Sequence, residues 1–323
     1  MDYTDVPNDG MNWYARMMDK TITPSDNGKK HEAFARSRYG ALWLEAETLR
    51  KRLGDLRENS DDEGGWARIT RGEYKMDGLG GFAGYTMYQL GYDRELSAKP
   101  GQIRYAGIAF HHTDTDMNYT GFGKDSDMDS NIGTLYYTTL YDSGHYLDLV
   151  GKLGRVKGKL DTRGEFPETA RWQSTFYSLS AEYGRKLAYE NGWYLEPQAQ
   201  LAYSHLGSDS YTSSQNTEGH LDAIDSLILR AGATLGRKQG NLDYYAKLFV
   251  HHEFAGDTGA RFHDKNDDTL ITSYDMGGIW LTAGIGAQLR LLKDFWLYGD
   301  IERSFGGDIQ KKWEWNLGVR YAF

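Results

Sequence analysis

The segment from Trp313 to Phe323 alternates without a break: Trp313, Trp315, Leu317, Val319, Tyr321 and Phe323 on one parity, Glu314, Asn316, Gly318, Arg320 and Ala322 on the other. Side chains reverse face at every residue of a strand, so one face is aromatic and aliphatic while the other is polar or small. A strand that meets two media at once fits a transmembrane β-barrel, with lipid outside, a polar lumen inside, and Trp and Tyr at the interfaces.

Composition agrees once its averages are read correctly. Glycine (39), tyrosine (24) and tryptophan (9) are abundant and proline (5) is scarce among 323 residues, which favours one large all-β domain. The mean hydropathy of −0.68 resembles that of a soluble protein. A barrel strand is only half apolar and needs only about 9–11 residues to cross, so averaging hides the membrane. Apolar runs such as Ala41-Leu-Trp-Leu44 fall far short of the ~20 residues of a spanning helix. With no cysteine there is no disulfide framework or thiolate metal site, and no cofactor or metal is expected. A net charge of −9 without a basic stripe argues against a nucleic-acid partner. The opening Met1-Asp-Tyr-Thr-Asp5 has neither the basic nor the apolar region of a signal peptide. An exported barrel needs one, so the sequence is expected to be the carboxy-terminal part of a longer precursor.

Beyond Asp61-Asp-Glu-Gly-Gly65, about twelve period-two segments recur, an even number suited to a closed antiparallel barrel. In the clearest, Trp193, Leu195, Pro197, Ala199, Leu201 and Tyr203 oppose Tyr194, Glu196, Gln198, Gln200 and Ala202. The same reading puts Asp148, Lys152, Glu182, Arg230, Lys247, His251, Glu253, Asp300, Glu302, Glu314 and Arg320 on the polar face, as pore wall. Pro197 removes a ladder hydrogen bond and is expected near a strand end or bulge. Connections are short at Asp142-Ser-Gly144, Asn191-Gly192 and Gln239-Gly-Asn241, whereas 113–131, 204–224 and 256–276 read as long polar loops. Short turns at one rim and long loops at the other are the barrel pattern.

The amino-terminal part differs. From His31 to Glu58 there is no proline and helix formers dominate, with Leu42, Ala46, Leu49, Leu53 and Leu56 at three- and four-residue spacing. Such a helix is about 40 Å long, enough to thread a bilayer core of about 30 Å. Its charges at Glu45, Glu47, Arg50, Lys51, Arg52, Asp55 and Arg57 cannot face lipid, whereas a polar lumen would accept them. The chain is therefore divided into a spacer (1–30), a pore-spanning helix (31–60) and a barrel (65–323), with Arg50, Lys51, Arg52 and Arg57 expected to meet wall acids.

Several stretches resemble one family in order. Glu45-Ala-Glu-Thr-Leu-Arg-Lys-Arg-Leu-Gly-Asp-Leu-Arg57 and Gly65-Trp-Ala-Arg-Ile-Thr70 resemble the helix and first strand of the autotransporter translocator domain, of the monomeric type V secretion family. Gly91-Tyr-Asp93, Tyr105-Ala-Gly-Ile-Ala109, Tyr194-Leu-Glu-Pro-Gln198, His252-Glu-Phe254, Leu297-Tyr-Gly-Asp300 and Leu317-Gly-Val-Arg-Tyr-Ala-Phe323 resemble its later strands. The resemblance implies a twelve-stranded barrel, integral to the outer membrane of Gram-negative bacteria, whose pore helix leads to a covalently linked upstream passenger. It implies lipid and lipopolysaccharide as surroundings, a monomeric state, and a terminal strand (Leu317, Val319, Tyr321, Phe323) read by the barrel assembly machinery. Some members sever the passenger through an Asn of an Asn-Asn pair in the pore helix. Glu47 and Thr48 stand there instead, so no scission at that bond is expected.

Competing motifs are weaker. Asp125 to Asn131 begins like a calcium loop but has Ser130 and Tyr136 where glycine and glutamate belong, and reads as a solvated loop. His251-His-Glu253 and His111-His112 lack helical metal-site spacing, and each reads as one wall and one interface histidine. Gly78 to Ala83 matches a variant dinucleotide fingerprint without the following helix. The expected function is passenger export without catalysis. The alternatives are a porin or channel, which needs no threading helix, and an outer-membrane hydrolase, for which Ser174, Ser178 and Ser180 are the serines to test.

Overall fold

A computed structural model describes residues 26–45, 49, 63–77, 81–119, 124–162, 167–264 and 269–323. Helix α1 (Asp26–Leu44) is followed by β1 (Glu63–Met76), β2 (Phe82–Lys99), β3 (Gln102–Asn118), β4 (Ser126–Tyr141), β5 (His145–Asp161), β6 (Thr169–Arg185) and the two-residue β7 (Leu187–Ala188). Next come β8 (Trp193–Leu206), β9 (Asp209–Thr212), β10 (Glu218–Leu221), β11 (Ile224–Gln239), β12 (Leu242–Glu253), β13 (Thr258–His263), β14 (Thr269–Tyr274), β15 (Gly278–Leu292), β16 (Phe295–Phe305) and β17 (Ile309–Ala322).

Twelve long strands pair antiparallel with their neighbours, and the ring closes where β1 pairs with β17. Closure leaves no edge, which is what a sheet in hydrocarbon requires. The long strands alternate over most of their described length as their sequences do. Leu153, Leu179, Leu135, Ile285 and Leu248 project outward and exposed, while the polar parity is buried within. Inward-facing glycines make room for rings from the adjacent strand: a Cβ at Gly184, Gly236, Gly286 or Gly318 would fall within 2.5 Å of Tyr146, Tyr194, Tyr245 or Tyr298 respectively. The abundance of glycine and tyrosine thus packs the inner wall, each ring lying over a neighbour's bare backbone.

Pro197 pairs on one side with Ala233, while the β6–β8 ladder on the other side ends at Gln198 and β7 resumes at Leu195. Its missing N–H falls at that interruption.

One expectation about loops is corrected. Residues 113–118 and 126–131 are strand, the ends of β3 and β4, and 204–224 and 256–276 contain β9, β10, β13 and β14. The four short strands form a second sheet in the order β14-β13-β10-β9. The barrel strands run for 11 to 18 residues, more than the ~9–11 that a crossing needs. Their outer ends face water on the outside, so polar residues such as Asp114, Asp116, Asp127 and Asp129 replace the apolar parity and disguise the strand as loop.

Helix α1 starts at Asp26, five residues earlier than the sequence spacing predicts, and its 19 residues extend about 28 Å. It has no apolar stripe. Phe34, Tyr39, Leu42, His31, Ser37 and Arg38 are each at most 2% exposed, because the barrel wall surrounds the helix. The amphipathic pattern expected of a one-sided helix does not apply to one enclosed on every side.

Candidate functional site: the occupied lumen

The lumen grips α1 at three heights. At the rim carrying the second sheet, the His31 ring lies 2.6 Å from the Tyr211 hydroxyl and 3.2 Å from the Glu168 carboxylate, between the rings of Tyr211 and Phe262. Glu168 also accepts from the hydroxyls of Ser213 and Thr217. Burial pushes the Glu168 carboxyl up, but the His31 ring and these hydroxyls outweigh it and hold the pKa at about 2. Arg38 donates to the carbonyls of Asp222 (2.7 Å) and Gly207 (2.6 Å) and to Ser174 Oγ (3.2 Å), its guanidinium over the Trp172 ring.

Midway, the Tyr39 hydroxyl donates to Glu253 at 2.7 Å, and the same carboxylate accepts from Ser226 Oγ and the N–H groups of Leu227 and Ala255. Gly40 passes so close to the wall that a Cβ there would lie 2.5 Å from Tyr74 Oη.

Lower down, Glu45 Oε2 meets Lys152 Nζ at 2.8 Å, and Glu45 Oε1 meets His111 Nε2 at 2.9 Å. The Leu49 N–H donates to Glu182 at 3.1 Å. A cavity of about 50 Å³ lies between Trp43, Leu44 and the wall residues Tyr85, Phe249 and Trp280. Its lining is partly polar, and the space is roomy enough for a few waters.

The wall residues named from the sequence all project inward. Glu182 takes the Tyr146 hydroxyl and Arg230, Asp300 and Glu302 share Lys247, and Lys311 bridges Glu302 and Glu314. Asp148 accepts from Thr138, Glu196 accepts from Gln198, and His251 stacks on Trp280. Gln200 is buried beside them. Most of these acids therefore answer to tyrosines, lysines and arginines of the wall itself. At Glu45, just past α1, the sign is the reverse of the expected one, an acid meeting basic Lys152. The expected partners Arg50, Lys51, Arg52 and Arg57, with Glu47, Thr48 and Asp55, lie outside the described residues. Of the serines, Ser174 faces Arg38 and Ser178 accepts from Ser204.

Sequence reasoning missed His31, Arg38, Tyr39 and Glu168, and left open which histidine of the His111-His112 pair faces the lumen; His111 does. Only the His111-His112 pair left a signal, since alternation forces one of two adjacent histidines inward. It also missed what several resembling motifs have in common. Arg320 donates to Asp93, with one bond of 2.8 Å, across the intervening β1. The Tyr136 hydroxyl donates to the same carboxylate at 2.8 Å and accepts from Trp66 Nε1 at 2.9 Å. A Cβ at Gly91 would collide with Trp66, and one at Gly64 with Arg320. Gly65-Trp66, Gly91-Tyr-Asp93 and Gly-Val-Arg320 thus form one buried cluster at the seam where the barrel closes.

A closed barrel with an apolar outer face and a polar lumen filled by its own helix defines an integral outer-membrane protein with a self-occupied pore. A family profile described as "Autotransporter beta-domain" matches residues 65–302. The chain is 27% identical over 296 residues to the pertactin autotransporter of Bordetella parapertussis, covering 87% of this chain and 31% of that protein. It is 30% identical over 289 residues to the BrkA autotransporter of Bordetella pertussis, covering 86% of this chain and 28% of that protein. The crystal structure of the BrkA β-domain superposes with a TM-score of 0.65 at 25% identity, covering 81% of this chain and all of that one. The translocator domain of NalP from Neisseria meningitidis shares the fold, with a TM-score of 0.68 at 14% identity over 90% of this chain and 99% of that one. The chain belongs to the autotransporter family, as a translocator β-domain, and it spans less than a third of the length of these curated relatives.

Proposed function

We propose that this barrel carries a passenger attached ahead of α1 to the cell surface and then holds it there. The observation that carries this reading is the path of the chain. Helix α1 enters among β9, β10, β13 and β14 at the long-loop rim, through His31 and Arg38, and descends to Glu45 and Leu49 deep in the lumen. Strand β1 then starts at the opposite rim, where Gly64 pairs with Ala322. Long loops lie outside the cell in such barrels, so whatever precedes α1 emerges at the surface. This reading keeps the division into spacer (1–30), pore linker (31–60) and barrel (65–323), with the first residues of α1 falling before the linker's boundary. A porin reading would need an open lumen, against which the enclosed α1 argues.

In this reading the assembly machinery recognises Leu317, Val319, Tyr321 and Phe323 on the outer face of β17, lipid and lipopolysaccharide surround the barrel, and the chain works as a monomer. The test fuses a signal peptide and an epitope tag ahead of Met1 and adds protease to intact cells. Loss of the tag while a periplasmic marker survives supports export. A protected tag beside an assembled barrel would count for a channel.

A further inference from the structure

We propose that the outer faces of β5 and β6, immediately above the apolar band, form a docking site for the phosphate groups of lipopolysaccharide. The register supplies the geometry. Leu90, Phe110, Gly133, Leu153 and Tyr177 are successive cross-strand partners from β2 to β6, and all but the glycine are large and exposed. On β5 and β6, Leu153 and Tyr177 are the last large apolar residues of the outward parity, and so mark the upper edge of the lipid-facing surface on these two strands. Above Leu153, the outward parity of β5 is Arg155, Lys157 and Lys159, and Arg171 of β6 is the cross-strand partner of Lys159. Four cations therefore occupy two adjacent strands where hydrocarbon gives way to headgroups.

Height selects the occupant. At about 3.4 Å per residue and a tilt of about 40°, Arg155 lies roughly 5 Å and Lys159 roughly 15 Å above Leu153 along the membrane normal. The polar layer of a phospholipid leaflet is only about 5–7 Å deep. A single phospholipid phosphate meets Arg155 at most, whereas a ligand whose anionic groups continue outward from a lipid anchor meets the whole ladder. Lipopolysaccharide, with phosphates on its lipid and its inner sugars, has that form.

Charge complementarity is local. Lys159 leans on Asp161 at 3.2 Å, but among the described residues Arg155, Lys157 and Arg171 have no acid within ion-pair distance. On β4, Asp127 and Asp129 are the cross-strand partners of Lys159 and Lys157, yet neither carboxylate is within ion-pair distance of them: Asp127 pairs with Lys124, and Asp129 gathers with Asp114 and His112 of β3. Acidic β3–β4 and basic β5–β6 stand side by side, so a phosphate is confined to the latter.

The proposal rests on the outer-membrane assignment and not on export; the assay reads binding alone, so either can fail without the other. The full chain, refolded in detergent, is titrated with rough lipopolysaccharide, its dephosphorylated form, and phosphatidylglycerol. The variant is Arg155→Gln with Lys157→Gln and Arg171→Gln; the control is Arg71→Gln with Lys75→Gln on β1. Heat-modifiable gel migration verifies that each has folded. The triple variant should bind lipopolysaccharide about tenfold or more weakly, since each cation near an anionic surface contributes roughly fivefold, with the control within about twofold. Dephosphorylated lipopolysaccharide should erase the difference. Equal binding by the triple variant, equal binding of the dephosphorylated form, or displacement by phosphatidylglycerol at matching concentration would each overturn the proposal.

Discussion

The Glu45 carboxylate at the foot of α1 meets the Lys152 ammonium of β5 at 2.8 Å, both side chains no more than 6% exposed. His111 holds the other oxygen of the carboxylate. Removing one member of a buried pair strands the other charge, at a cost of about 3–5 kcal/mol, whereas removing both costs less. Lys152→Met should therefore loosen the plug and raise single-channel conductance in a planar bilayer. Adding Glu45→Gln should recover part of the loss, with a coupling of roughly 1–3 kcal/mol in thermal unfolding. Simple additivity of the two changes would mean that the contact does not hold the helix.

Gly40 and Tyr74 test the fit higher up. Alanine at position 40 gains about 1 kcal/mol of helix propensity in isolation. Its Cβ would lie 2.5 Å from the Tyr74 hydroxyl oxygen, and Tyr74 is 1% exposed. Overpacking of that kind costs about 1–3 kcal/mol, so Gly40→Ala should destabilise the docked helix despite the propensity. Tyr74→Phe deletes the offending oxygen and should restore it. Resistance of α1 to added protease gives the readout, and an unaltered digestion rate for Gly40→Ala would refute the close approach.

The Arg320 to Asp93 bridge calls for a substitution that keeps the charge. Arg320→Lys preserves the positive side chain and loses the two-pronged geometry, so it should lower the temperature of heat-modifiable migration nearly as far as Arg320→Ala. The control is Arg303→Lys, an exposed outward residue of β16, which should change little. Full stability of Arg320→Lys would show that charge alone suffices at the seam.

The lipid-facing half of this fold was legible because a barrel strand records its two solvents residue by residue. The Trp193 to Tyr203 alternation sorts unaided into exposed and buried parities, and so do the acids from Asp148 to Glu314. Pairing inside the lumen was not legible. The inner wall packs its own charges, Arg230 against Glu182 and Lys247 against Asp300, and such partners come from strands dozens of residues apart. The start of α1 escapes the sequence because a helix enclosed on all sides shows no stripe, and the tops of β3 and β4 read as loop because both solvents there are polar. The resemblance located the residues of the seam without saying that Tyr136 links Trp66 to the Asp93–Arg320 pair.

A prediction about scission rests on chemistry alone, since Glu47 and Thr48 lie outside the described residues. Neither side chain carries an amide nitrogen that can close on the following carbonyl. The peptide bond between them should stay intact on export, as a single full-length band. Installing Glu47→Asn and Thr48→Asn asks whether the barrel can assist the reaction. Quantitative cleavage would show that it retains the supporting groups, and an uncut product would show that it lacks them.

The rim contact between His31 and Glu168 should give the plug an acid limit. An unfolded glutamate has a pKa of about 4.3. In the folded chain the His31 ring and the Ser213 and Thr217 hydroxyls overcome the effect of burial and hold Glu168 at about 2. A lowered carboxyl pKa contributes stability that is fully present above the unfolded value and is lost as pH falls from there through the folded one. The Glu168 contribution should accordingly be constant from pH 7 to about pH 5 and fade between roughly 4 and 2. Conductance of bilayer-inserted barrels, stepped from pH 7 to pH 2, should rise in that window. Glu168→Gln carries no titrating carboxyl, so it should begin with a looser rim at pH 7 and lack that component of the acid response. If the variant and the parent open along the same curve, the rim contact does not set the acid limit and the midway and lower anchors must.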